Sequence, residues 1–197
     1  MTPAQWYAKV FFRIAIFALA LTGCLLSACT TAPSPATPSA TPSVSPTPDR
    51  PEWFSVPLTD VRTDKTFTIN DFAGKVVLIQ TIVQWCSNCA YQQHEVSLMH
   101  TMLGHPDDLV TVSLDVDLKE DATSLKKYVD HFGFDWHFAV APLEITRALG
   151  NLYSAEYLNA PLEPMLIIDR SGNVYGLPYG FKSANALSNT LEQYLQQ

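Results

Sequence analysis

The sequence predicts an α/β sandwich three layers thick, a mixed central sheet flanked by helices. Strand-like and helix-like stretches alternate from residue 52 to the C-terminus, and the last of them make a hairpin followed by a closing helix. Residues 76–83 form a continuous, β-branched apolar run, the pattern of a strand buried on both faces.

In chain order, residues 53–61 and 66–69 read as extra N-terminal strands, and Asn70-Asp71-Phe72-Ala73-Gly74 as the turn into the long apolar run. That run ends at Trp85-Cys86-Ser87-Asn88-Cys89, where a helix begins at or beside Cys86 and continues to Leu103. Val96, Leu98, Met99 and Met102 are available for its buried side. Residues 109–114 are the next strand, and 120–132 an amphipathic helix closed by Gly133. Residues 137–140 and 143–152 repeat strand and helix. Pro164 then precedes a strand at 165–168, a turn at Asp169-Arg170-Ser171-Gly172 and a returning strand at 173–175, and 183–195 form the last helix.

Residues 1–28 read as an address. Lys9 and Arg13 precede an apolar stretch that ends in small residues before Cys29, the layout of an export signal. The stretch is shorter than the ~20 residues of a membrane-spanning helix; a permanent anchor, lengthened by residues 10–12, is the competing reading. Leu26-Ser27-Ala28-Cys29 resembles the bacterial lipobox, which implies cleavage before Cys29 and acylation of its thiol. Leu21-Thr22-Gly23-Cys24 also fits, but cleavage there would halve the apolar core. Residues 29–51 are then the acylated cysteine and a tether, with seven of the fourteen prolines. This composition cannot bury a core, and as extended chain at ~3.1 Å per residue it reaches roughly 70 Å. Residues 52–197 remain for one domain.

The formal charge is −7 and the pI near 5.0, without a basic run, which excludes binding to a nucleic-acid backbone. Loss of residues 1–28 removes two positive and no negative charges, taking −7 to −9.

With Cys24 removed and Cys29 acylated, Cys86 and Cys89 are the thiols that remain. Two cysteines three apart in the first turn of a helix place their sulfurs on one face within disulfide reach, and the helix N-terminus favours thiolate at the first. Redox use competes with a structural disulfide, half of a metal site and chance spacing. So short a loop constrains the unfolded chain little and makes a poor staple.

The order of strand, W-C-x-x-C at a helix start, strand, helix, proline, hairpin and helix resembles the thioredoxin fold. From about Glu52 onward, the N-terminal strands and the insertion between central strands resemble the extracytoplasmic TlpA/ResA-type (redoxin) branch. The resemblance implies a thiol-disulfide oxidoreductase in which Cys86 attacks a substrate disulfide and Cys89 resolves the mixed disulfide. It implies that Trp85 walls the substrate groove. It also implies that Pro164, eight residues before Gly172, is a cis-proline beside Cys86; Pro161, or an ordinary trans proline, is the alternative. No cofactor beyond the Cys86–Cys89 disulfide is implied. The partners would be exported thiol or disulfide proteins, apocytochrome c among the candidates, and a membrane electron donor or acceptor. The setting is a bilayer-anchored lipoprotein of the bacterial cell envelope, acting as a monomer.

The chain also departs from that pattern. Ser87-Asn88 lacks the usual proline before the second cysteine, which leaves reductase and oxidase directions open. Gln80 stands where thioredoxin has a buried proton-relaying acid, and a neutral amide cannot serve unaided. Glu163 would put negative charge in the groove near Cys86, opposing its thiolate. His94 replaces a helix-kinking proline and reads as an exposed or capping residue. The rival function is a copper chaperone resembling the Sco type, with Cys86, Cys89 and His94 as ligands and His131 and His137 in reserve; Sco-like sites use C-x-x-x-C, one residue longer. A thiol peroxidase is disfavoured because Val83 stands where peroxiredoxins carry Thr or Ser.

Overall fold

The computed structural model describes residues 50–197. The expected signal, lipobox and most of the tether, Cys24 and Cys29 included, lie outside the described residues.

Five strands form the central sheet in the order β5-β4-β3-β6-β7. They are β3 (Val76–Ile82), β4 (Leu109–Asp115), β5 (His137–Val140), β6 (Met165–Ile168) and β7 (Val174–Gly176), with β3, β4 and β5 parallel and β6 and β7 antiparallel. Every residue of β3 is buried, as its uninterrupted apolar sequence requires of a strand paired on both edges and covered on both faces. Its side chains alternate between two cores. Val76, Leu78 and Ile82 pack with helices α1 (Ser87–Leu103), α2 (Ala122–Phe132) and α4 (Ala184–Leu195). Val77 and Ile79 pack with α3 (Leu143–Leu152), Trp53 and Phe54. This is the mixed, three-layered α/β arrangement expected.

The N-terminal strands are shorter than expected. Only Leu58–Thr59 (β1) and Thr66–Phe67 (β2) pair, in a separate two-stranded sheet, and residues Glu52–Ser55 and Ile69–Phe72 form single 3-10 turns. Thr68 and Asp71 explain the second turn: the Asp71 carboxylate accepts from the Thr68 N–H at 2.8 Å in a capping box, which stops the strand.

Helix α1 also differs from expectation. Val96 and Met99 are buried, but Leu98 and Met102 are exposed, and the inward face is completed by Cys89, Gln92, Gln93 and His100. Polar neighbours explain the orientation. Gln80 and Ser113 on the sheet hydrogen-bond Gln93, and Thr111 meets His100 Nε2 at 2.9 Å, so this helix docks by polar as well as apolar contacts. Helix α2 keeps its expected end, where Gly133 takes up φ 72°.

Leu78→Ala should lower the unfolding free energy by roughly 2–5 kcal/mol, as full truncation in a close-packed core does. Urea titration checks this; a loss below about 1 kcal/mol would contradict the central place given to β3.

Candidate functional site

At the C-terminal end of β3 the chain crosses Val83, Gln84 and Trp85 and enters α1 with Cys86 as the N-cap residue. Cys86 Sγ accepts the backbone N–H of Cys89 at 3.1 Å, the place a Ser or Asp oxygen takes in an ordinary cap. Cys86 and Cys89 are joined as a disulfide, with Cα atoms 5.2 Å apart. Cys86 is 5% exposed and Cys89 2%. Cys89 Sγ faces inward, 3.4 Å from the carbonyl oxygen of Ala160. After reduction, the Cys89 N–H and the positive end of the 17-residue helix would both stabilise negative charge on Cys86 Sγ.

The crossing segment is held by acids. Gln84 donates its backbone N–H to Glu120 (2.9 Å) and its side-chain amide to Asp115 (2.7 Å), while Trp85 Nε1 donates to Asp117 (2.9 Å). Burial raises the Asp115 carboxyl above its ordinary range, and burial, then the hydrogen bond and charge of Asp115, pushes Glu120 up to about 7. Both acids thus accept from Gln84, and each carboxyl is raised above its ordinary range. Their signal was in the sequence, as Asp115-Val116-Asp117-Leu118-Lys119-Glu120 straight after a strand on the same sheet edge as Cys86, but pairing to Gln84 needed the fold. Trp85 is 67% exposed and so flanks the cysteines at the surface.

Pro164 and Glu163 lie with Cys89 along one small cavity of about 10 Å³, so they approach the pair from the Cys89 side. The described residues contain no cis peptide bond, and the expected cis-proline is therefore corrected to trans. The chain turns into β6 by another device: Glu163 ends the short 3-10 helix Ala160–Leu162 in the left-handed region (φ 52°, ψ 48°). Pro161 sits inside that helix. Gln80 is buried in β3 and donates to Gln93 (3.2 Å) and Ser113 (2.9 Å).

The alternative copper ligands are not assembled. His94 is exposed and packs edge-on against Phe132 and Phe134, His131 packs on Phe132, and His137 stacks against Phe67 and Phe72 with Nδ1 3.4 Å from Asp60. Among the described residues, no three His, Cys, Asp or Glu side chains group as a metal site.

No family model matches the chain, and no curated protein does. Solved structures do. A thiol:disulfide interchange protein of the thioredoxin family from Chlorobium tepidum superposes with a TM-score of 0.58 at 19% identity, covering 71% of this chain and 92% of its own. A secreted Mycobacterium tuberculosis disulfide oxidoreductase, described as homologous to E. coli DsbE, gives 0.54 at 13% identity, over 72% and 98%. A thiol-disulfide isomerase from Corynebacterium glutamicum gives 0.53 at 20% identity, over 69% and 90%. Sheet order, helix placement and these superpositions together show that residues 50–197 have the thioredoxin fold.

Proposed function

We propose that the protein is an extracytoplasmic thiol-disulfide oxidoreductase that exchanges disulfides with exported proteins through Cys86-Ser87-Asn88-Cys89. The observation that carries this is Cys86 as the N-cap of α1, bonded to Cys89 just beyond the end of the fully buried strand β3. In the reductive direction, the Cys86 thiolate attacks a substrate disulfide, its sulfur bonds one substrate sulfur, and the other leaves as thiolate. Cys89 then displaces the bound substrate sulfur and re-forms the Cys86–Cys89 bond. The opposite sequence oxidises a substrate dithiol. The disulfide is the whole redox centre.

The surroundings suit a polypeptide substrate. Trp85 stands exposed next to Cys86 and bonds Asp117, and the exposed Leu118 that follows Asp117 borders, with Val116, Leu143 and Leu158, a largely apolar hollow of about 340 Å³. An unfolded or flexible chain could lay apolar side chains there while a disulfide reaches Cys86. In this reading the expected export signal and lipobox carry the domain to the cell-envelope side of a membrane, to be held by an acyl group on Cys29 through residues 29–51 and to work as a monomer with a membrane electron donor or acceptor. A secreted neighbour of the same fold supports an extracytoplasmic location.

Cys86→Ser should abolish insulin-disulfide reduction, whereas Cys89→Ser should retain the first attack and accumulate a mixed disulfide with substrate, seen as a thiol-sensitive adduct on non-reducing gels. Equal activity of Cys86→Ser and wild type would end the proposal.

The acid pair beneath Gln84 makes a second prediction. Glu120 ionises near 7 in the folded chain against an ordinary 4.5, so between those pH values the folded state holds more protons than the unfolded state. This contribution is fully present below about 4.5 and is lost as pH rises through about 7. The urea midpoint should therefore fall from pH 5 to pH 8, and Glu120→Gln should flatten that slope. An unchanged slope would show that the folded chain does not raise the Glu120 carboxyl.

A further inference from the structure

The cavity behind the disulfide is lined by Gln80, Cys89, Gln93, Ala160, Glu163 and Pro164 among others, and its ~10 Å³ is of the order that admits a single water molecule. Gln80 and Gln93 are 2% and 0% exposed. Their amides close a ring with Ser113: Gln80 Nε2 donates to Gln93 Oε1 and to Ser113 Oγ, Ser113 Oγ donates to Gln93 Oε1 (3.1 Å), and Trp136 Nε1 donates to Ser113 Oγ (2.8 Å). That ring uses one end of each amide. Gln80 Oε1 and Gln93 Nε2 are left buried without a partner. One unsatisfied acceptor and one unsatisfied donor on residues lining one cavity are the two contacts a water molecule makes when it donates to the first and accepts from the second.

Glu163 is 8% exposed, and its carboxylate has no hydrogen bond among the described residues. The charge acting on it is that of Lys182, whose Nζ donates to the Glu163 carbonyl oxygen at 2.8 Å. Lys182 is fixed in turn by reciprocal bonds with Gln92 of α1 at 2.9 and 2.8 Å. Burial raises the Glu163 carboxyl despite that lysine, and burial lowers Lys182 to about 8. A carboxyl raised in this way is a better proton acceptor than an ordinary, fully solvated one.

We propose that Glu163 is the proton acceptor for Cys89, and that one water held between Gln80 and Gln93 carries the proton between them. The inference rests on the oxidoreductase reading and concerns its second step. In the mixed disulfide, the Cys89 thiol gives its proton to the water while the water gives one to the Glu163 carboxylate. The Cys89 thiolate attacks Cys86 Sγ, the Cys86–Cys89 bond forms, and the bond from Cys86 to the substrate sulfur breaks with its electron pair on that sulfur, which solvent protonates. The cysteine pair is oxidised, the substrate disulfide is reduced, and Glu163 later returns its proton to solvent. Gln80 thereby holds the relay without itself ionising.

The test uses the full chain carrying Cys24→Ser and Cys29→Ser, reduced and mixed with one equivalent of dithiobis(nitrobenzoate). Attack by Cys86 releases the first thionitrobenzoate and resolution by Cys89 the second, so the two steps separate in time. Glu163→Gln should leave the first release within about twofold and slow the second about tenfold or more, the range of a lost general base. It should also remove the rise of the second rate with pH, and Glu163→Asp should recover part of it. The parent chain itself should show a solvent deuterium isotope effect on the second release, which needs no variant to fold. A second release that is unchanged in rate and pH profile in Glu163→Gln, or free of an isotope effect in the parent, overturns the relay. Absence of any second release in the parent would instead overturn the oxidoreductase reading.

Discussion

The junction between β3 and α1 is the constraint on which the rest of this structure depends. A strand buried on both faces and paired on both edges cannot shift without disturbing two cores, so its C-terminal end is the most firmly located point in the domain. Three residues separate it from the N-cap of the helix that follows, and the side chain at that cap is a sulfur. One junction therefore fixes where the reactive atom sits and supplies the N–H group and helix field that favour its charged form.

The polar groups around that junction fall into two sets with different work. On the Cys86 side, Asp115, Asp117 and Glu120 hold Gln84 and Trp85, and burial, with the neighbouring Asp115, pushes the Glu120 carboxyl up to about 7. On the Cys89 side, two buried glutamines line the cavity, and an acid arrives from the turn before β6. Putting the acid on that turn changes its chemistry, because Lys182 and the α4 approach now act on it rather than the sheet.

Much of the fold could be read in advance. The boundaries of β5, β6 and α3 coincide with their apolar patterns, and β3, β4 and α4 differ from theirs by a residue at one end. These elements obey local rules: continuous β-branched runs, 3.6-residue periodicity, and caps such as Ser183 and Gly133. The inward face of α1 was not legible, since burying glutamines and a histidine while exposing Leu98 and Met102 depends on partners 11 to 20 residues away in sequence. The trans bond at Pro164 was hidden for a similar reason; the left-handed Glu163 makes the turn, and nothing local to that residue announces it.

By itself, the sequence determined the order of the elements, the placement of Cys86 and Cys89 at a helix start, and the absence of a buried acid at position 80, because each follows from short-range spacing and side-chain type. Only the tertiary structure decided which polar groups meet the sulfurs. Asp115 and Glu120 reach Gln84 across 31 and 36 residues, and Lys182 reaches Glu163 across 19. Such pairs are selected by burial, where an unpartnered polar group is costly, and burial is a property of the packed chain.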